Sequence, residues 1–248
     1  MISIRNLIKT FGSLRALNTV TVDFHPGKSY ALIGPNGSGK TTLIKSVLGM
    51  VIPTSGEIVV DNEPVTNHWH YREKIGYMPQ IGRYPDNMRI GQLFDMMRNI
   101  RKNPRVVDEE LMEAFRLEQL FDKRMHTLSG GTRQKVSATL AFLFNPPILF
   151  LDEPTAGLDP VSVEVLKDKI QKTKEEGRLL IITSHIMSDL DDLATEVVYL
   201  EEGKILYNNS IEVLKDITGE IKLGKAMAKM ITGLGSRKDA QRALTNDK

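Results

Sequence analysis

Apolar and polar positions change period several times along the chain, and each change marks a different kind of element. Ile2, Ile4 and Ile8, then Val20, Val22 and Phe24, fall on alternate positions, which predicts half-buried strands. Residues 29–33, after the turn Pro26-Gly27, form a short apolar run that reads as a buried strand. Leu43, Ile44, Val47 and Leu48 then share one helical stripe that ends near Gly49. Residues 57–60 and 75–78 are predicted strands, the second ending at Pro79-Gln80.

From Ile81 to Thr127 the period is helical. Ile90, Leu93, Phe94 and Met97 share one face, and Leu111, Ala114, Phe115 and Leu117 suggest a second helix. No strand signal interrupts this stretch, so a helical subdomain over about 81–135 is expected as an insertion into an α/β domain. Val136, Leu140, Leu143 and Phe144 make a further stripe that stops at Pro146-Pro147. Residues 148–151 and 179–183 are apolar strand-like runs, separated by a helix through Leu166 and Ile170 with Asp159 as N-cap and Pro160 in its first position. Residues 197–200 and 204–207, joined across Glu201-Glu202-Gly203, predict a closing hairpin. Beyond Ser210 the chain reads as helical and basic: Leu223, Met227, Met230, Ile231 and Leu234 share a face, and Lys222, Lys225 and Lys229 lie away from it. A packed terminal helix is the simple reading of this tail, and docking on a second subunit or a membrane protein is the sharper one. The polar end of the chain is expected to fray.

Composition narrows the partners more than the fold. The 248 residues are 41% hydrophobic, enough for a sizeable core. A net charge of +2, from 33 basic and 31 acidic residues, gives no global field to draw the chain to nucleic acid or to an anionic membrane. With no cysteine, disulfides, thiolate metal ligands and a cysteine nucleophile are excluded, which suits the cytoplasm. No apolar run reaches the roughly 18 residues of a membrane span, and the first residues lack the regions of a signal peptide, so the chain itself is expected to be soluble.

The candidate chemistry begins at residues 34–42, G-P-N-G-S-G-K-T-T, directly after the strand 29–33 and before a helical stripe. This is the context in which G-x-x-x-x-G-K-[ST] binds phosphate. Gly34, Pro35, Asn36, Gly37, Ser38 and Gly39 supply a loop whose N–H groups can turn inward on phosphate oxygens. Lys40 reaches the β and γ phosphates, Thr41 offers its hydroxyl to Mg²⁺, and Thr42 completes the nucleotide-binding stretch.

Asp152-Glu153 closes the apolar run 148–151, as expected of a strand-end carboxylate that holds Mg²⁺ through water, with Glu153 placed to orient the attacking water. Ser129, Gly130 and Gly131 form a capped helix N-terminus that an anion can approach closely; a plain capped helix is the bland alternative. Phe11 beside Gly12 can stack on a base, although core packing is the commoner role for such a ring. His185, after the strand 179–183, sits where parallel sheets bind ligands. The pair flanking Trp69, His68 and His70, lacks a third metal ligand.

With these motifs in order, the chain closely resembles the ATP-binding subunit of an ABC transporter. The resemblance implies an α/β fold with a RecA-like phosphate-loop core, mostly parallel, plus an antiparallel β subdomain and an inserted helical subdomain. It divides the chain into an ATPase domain over 1–215 and a helical tail over 216–248. Residues 34–42 match the Walker A motif, Gln80 the Q-loop, Leu128-Ser129-Gly130-Gly131 the signature, Asp152 the end of the Walker B strand, residues 156–159 the D-loop and His185 the switch histidine. Phe11 matches the adenine-stacking aromatic, which other members more often supply as Tyr.

What the resemblance implies is ATP hydrolysis with Mg²⁺, with Glu153, His185, Lys40 and Gln80 as catalytic residues and Thr41, Gln80 and Asp152 at the metal. The nucleotide is expected to contact Phe11, the loop 34–42 and Asp159 and, from a second copy packed head to tail, Ser129, Gly130 and Gly131. Partners are then a second ATP-binding subunit, as a homodimer, and separate transmembrane permease subunits, with the chain peripheral on the cytoplasmic face of the membrane. Residues 131–137 are similar to ATPases that work with small ABC-2-type membrane proteins, including those of nitrous-oxide-reductase maturation. An alternative of another class is a soluble ABC ATPase scaffold of the kind that serves iron–sulfur cluster assembly.

Overall fold

The computed structural model describes residues 1–101 and 107–233. The chain opens with a hairpin, β1 (Ile2–Phe11) and β2 (Leu14–Phe24), followed by β3 (Ser29–Ile33) and α1 (Lys40–Val47). Next come β4 (Ser55–Val60), β5 (Glu63–Pro64) and β6 (Ile75–Met78), then α2 (Ile90–Ile100), α3 (Glu110–Ala114) and α4 (Gly130–Phe142). The second half alternates β7 (Ile148–Asp152), α5 (Pro160–Glu175), β8 (Leu179–Thr183) and α6 (Met187–Leu193). It closes with β9 (Glu196–Glu201), β10 (Lys204–Ser210), α7 (Ile211–Thr218) and a helix α8 over 223–233.

Two sheets result. An antiparallel sheet in the order β2-β1-β4-β5 lies beside a six-stranded sheet in the order β10-β9-β3-β8-β7-β6. In the larger sheet β9, β3, β8, β7 and β6 run parallel, and β10 is an antiparallel edge. Both faces of its central strands are covered, so their sequences are apolar except at the strand ends Ser29, Asp152 and Thr183. Leu149 and Leu151 join a core shared with α4, α5 and the helical subdomain; Ile148 and Phe150 point the other way, into a core shared with α1 and the antiparallel sheet.

Two expectations from periodicity need correction. Ile8 is only half-buried and Leu7 takes the core position, because Asn6 adopts a left-handed φ of 49° and the β1 register shifts between Ile4 and Leu7. The extra step moves every later side chain to the other face. The second helix of the inserted region is a little over one turn: Arg116, at φ 52°, breaks it, and the chain continues as a short 3-10 turn, Leu117–Leu120. Met112 is buried there, whereas Ala114 is exposed.

The inserted region is fixed to the core by α4, which packs against β6, and by Lys169 of α5. Nζ of this nearly buried lysine reaches Asp108 at 2.6 Å and Glu110 at 2.7 Å. The two carboxylates satisfy a charge that burial alone would make costly. α8 packs in cis: Leu223, Ala226 and Met227 are buried in the core next to α6, and both carboxylate oxygens of Asp191 accept from the Leu223 N–H. Leu234 and the polar chain end lie outside the described residues.

Candidate functional site

Parallel pairing brings the carboxyl ends of β3, β8, β7 and β6 side by side at one edge of the sheet. Ligands bind at this edge in open α/β sheets. The segments that leave it are the loop 34–39, Ser184-His185, Asp152-Glu153 and Pro79-Gln80, and together they line a cleft of about 340 Å³. Asn36, Gly37, Ser38, Gly39, Lys40, Thr41 and Thr42 form its floor. Gln80, Asp152, Glu153 and His185 form one wall, and Phe11, Leu14 and Ala16 from the first hairpin form its rim.

The floor is shaped for an anion. Gly39, the residue that opens α1, has φ 110°, and a Cβ there would meet the Ala16 carbonyl oxygen at 2.6 Å, so no other residue fits. It offers no side chain to cap the first turn, which leaves that turn to whatever occupies the cleft. Ser38 Oγ is buried and has no hydrogen-bond partner among the described residues. Lys40 Nζ donates to the carbonyls of Gly34 (2.7 Å) and Pro35 (3.1 Å), which arches the loop over its own lysine. Burial lowers the Lys40 pKa, and the nearby Glu153 and Asp152 charges partly offset this.

The wall is built from interlocked polar groups. Asp152 is buried, and its carboxylate accepts a short hydrogen bond from Thr183 Oγ1, its neighbour across the β7–β8 pairing. Glu153 takes a left-handed φ of 53°, a conformation that costs a non-glycine residue about 1–3 kcal/mol and persists only where its surroundings enforce it. Its N–H donates to Thr183 O and Thr183 Oγ1, each at 3.1 Å. Its carboxylate accepts from the His185 N–H at 3.2 Å and lies 3.3 Å from His185 Nε2. Thr183 and Gln134, which accounts for part of the Glu153 carbonyl's bonding (Nε2 to O, 3.3 Å), were not singled out by any motif. Thr183 is detectable only as the cross-strand partner of Asp152.

Phe11 is not a core residue: it is 48% exposed, with Lys9 Nζ 4.7 Å from the centroid of its ring. Thr41, Gln80 and Asp152 also line an adjoining cavity of about 840 Å³ that extends under the helical region past Tyr77, Tyr84 and Arg101. These three residues line the same space with a hydroxyl, an amide and a carboxylate, side chains whose hard oxygen donors suit Mg²⁺.

Ser129, Gly130 and Gly131, expected at the nucleotide of a second copy, and Asp159 lie outside this chain's own cleft. Ser129 is the N-cap of α4, its Oγ accepting from Thr132 N at 3.1 Å, and both Ser129 and Gly130 are exposed. Asp159 is also outside the cleft: its carboxylate caps α5 through Ser162 N (3.0 Å) and Ser162 Oγ (2.7 Å) and pairs with Lys135 Nζ at 2.8 Å. Those bonds, with Lys135 first, hold its pKa well below the ordinary carboxylate range. Around Trp69 and His70 the rings simply stack, 3.8 Å between centroids, and no group of three His, Asp or Glu side chains among the described residues is placed to hold a metal.

Comparison with known proteins agrees with this geometry. Residues 17–156 match the family model described as ABC transporter. The chain is 33% identical over 224 residues to YhaQ of Bacillus subtilis (strain 168), an uncharacterized ABC transporter ATP-binding protein, covering 89% of this chain and 74% of that one. It is 35% identical to the lantibiotic transport ATP-binding protein SrtF of Streptococcus pyogenes (83% and 89% covered). Identity to the lipopolysaccharide export system ATP-binding protein LptB of Escherichia coli (strain K12) is 31% (86% and 92% covered). Among solved structures, an ATP binding subunit of an ABC transporter superposes with a TM-score of 0.84 at 24% identity, covering 93% of this chain and 99% of that one. The bacterial ABC transporter cassette MJ0796, in a dimeric structure, gives 0.75 at 24% identity (85% and 98% covered), which extends the agreement in fold. On the family match and these relatives, the chain belongs to the ABC transporter family, as an ATP-binding, ATP-hydrolysing subunit.

Proposed function

We propose that two copies of this chain close around two ATP molecules and that the cycle of closing and hydrolysis moves a substrate through separate membrane subunits. The observation that carries this reading is the convergence of Lys40, Asp152, Glu153 and His185 on one cleft, while the capped end of α4 at Ser129 lies outside it. A site built for phosphate on one side only is completed by the helix end of a second copy. The family and the transport and export names of SrtF and LptB support the transport assignment. The chain would then sit on the cytoplasmic face of a membrane, held by its permease, and among the described residues no helix is long and apolar enough to cross. In this reading the helical region beside the larger cavity receives that permease.

In this reading Phe11 stacks on the adenine, and Lys40 with the N–H groups of residues 36–41 holds the β and γ phosphates. Thr41, Asp152 and Gln80 would hold Mg²⁺, which when bound would neutralise phosphate charge. Glu153 accepts a hydrogen bond from the attacking water and polarises it. Water adds to the γ-phosphorus, the bond to the bridging oxygen breaks, and ADP and phosphate are the products. His185 stabilises the charge on the transferring group from beside Glu153. If ATP favours the closed pair by about 5.5 kcal/mol, the shift needed to go from 1:99 to 99:1, hydrolysis resets it almost completely.

Glu153→Gln keeps the shape and removes the base. Turnover should fall by about 10²- to 10⁴-fold, and size-exclusion chromatography with ATP and Mg²⁺ should show a persistent dimer. An unchanged rate would remove Glu153 from this role. Purification from detergent extract separates the transport reading from a soluble scaffold, since only the first brings a membrane protein with it.

A further inference from the structure

Gln134 belongs to none of the motifs that bind nucleotide, yet it is 5% exposed and makes a polar contact inside the site's supporting wall. It lies one turn into α4, the helix whose N-terminus is Ser129. Its Nε2 donates to the main-chain carbonyl of Glu153 at 3.3 Å, and Ala156 N donates to the same oxygen at 3.2 Å. A carbonyl oxygen only accepts, so the amide must turn its NH₂ toward it. Every polar atom of the Glu153 main chain is therefore engaged: the N–H by Thr183 and the carbonyl by Gln134 and Ala156.

Such bonding is what keeps a glutamate at φ 53°. A carboxylate that must meet a water molecule depends on this backbone for its aim, because rotating the peptide swings the side chain out of the cleft. Two further ties bind α4 to the loop that follows Glu153. Lys135 pairs with Asp159 at 2.8 Å, and Gly131 runs so close to Gly157 that a Cβ on it would lie 2.8 Å from the Gly157 carbonyl oxygen. A movement of α4 is thus passed directly to residues 153–159.

We propose that Gln134 is a positioning residue for hydrolysis: through its bond to the Glu153 carbonyl, it makes the aim of the Glu153 carboxylate depend on where α4 sits. The helix end that meets the ATP of a second copy is then mechanically joined to the carboxylate that works on the chain's own ATP. Phosphate engaged at one site adjusts the other. This rests on the reading of Glu153 as the residue that polarises water, which the Glu153→Gln variant tests by itself.

The experiment compares steady-state ATP hydrolysis with Mg²⁺ in the full chain for Gln134→Met, close in shape but without a donor, and Gln134→Glu, which turns an acceptor on the carbonyl. Both should lower kcat by about tenfold to a hundredfold while the KM for ATP changes by less than about twofold. Placed in the Glu153→Gln background, neither should reduce the residual rate further, because the group they aim is already gone. An unchanged kcat in both single variants overturns the proposal, as does an equal further loss in the Glu153→Gln background, which would place the effect elsewhere. Loss of fold in both variants would assign Gln134 to the fold and likewise overturn it. If Glu153→Gln itself hydrolyses at the normal rate, the reading of Glu153 fails, and that result is separate from the behaviour of the Gln134 variants.

Discussion

Helix α1 begins at Gly39 and helix α4 at Ser129, and the two starts treat their unpaired N–H groups differently. The first lies in the cleft floor, next to a buried Ser38 hydroxyl with no partner among the described residues, and its opening residue has no side chain with which to cap it. The second is on the surface and capped by its own serine, which also lies 2.9 Å from Thr132 Oγ1. A helix start inside a cleft can leave its donors to the ligand, because the ligand and the cleft are always within reach. A start that serves a partner's ligand spends time facing water, and a self-made cap keeps it ordered until the partner arrives.

The strongest test of this division is complementation. Lys40→Ala should reduce turnover by about 10²- to 10³-fold, and Ser129→Arg, which blocks the exposed helix start, should abolish ATP-driven pairing. Mixed together, the two inactive chains can form a pair in which one cleft has an intact Lys40 facing an intact Ser129. Partial recovery of phosphate release is therefore expected on mixing, and its absence would mean that both helix starts serve one cleft. A smaller effect is expected for Ser129→Ala. Losing the cap should cost about 1 kcal/mol of stability and raise the ATP concentration needed for pairing, while nucleotide titration of the monomer stays as it was.

The smallest effect concerns a third helix start, that of α5, where Asp159 is the cap and Lys135 its cation. The folded-state pKa of Asp159 is depressed, so its contribution to stability is present above the unfolded value and is lost as pH falls below it. Acid unfolding followed by circular dichroism should show a shallower loss in Asp159→Asn than in the parent below about pH 4. Equal slopes would mean that the cap contributes nothing through its charge.

The sheet, the phosphate loop and the acidic end of β7 were readable because each is a local pattern: a short apolar run, then glycines and a lysine, or then two carboxylates. What escaped was non-local. The left-handed Asn6 shifts the face of β1 through its pairing with both neighbours, which alternation within one strand cannot reveal. The α3 stripe placed Ala114 inward because its spacing assumes an unbroken helix, and Arg116 breaks it. Asp159 was legible as the cap of α5, which its bonds to Ser162 bear out, but its pairing with Lys135 is visible only once α4 and α5 are side by side. The cis docking of α8 depends on Asp191 of α6, more than thirty residues upstream of Leu223 in the sequence, and its amphipathic face alone did not say what would cover it.

The left-handed backbone at Glu153 sets folding and catalysis against each other at a single position. Glycine there would relax the main chain and gain about 1–3 kcal/mol in a protein whose margin is of order ten, and it would remove the carboxylate. Screening variants for heat resistance alone would therefore be drawn toward residue 153 and would return a sturdier protein that binds ATP and leaves it uncut.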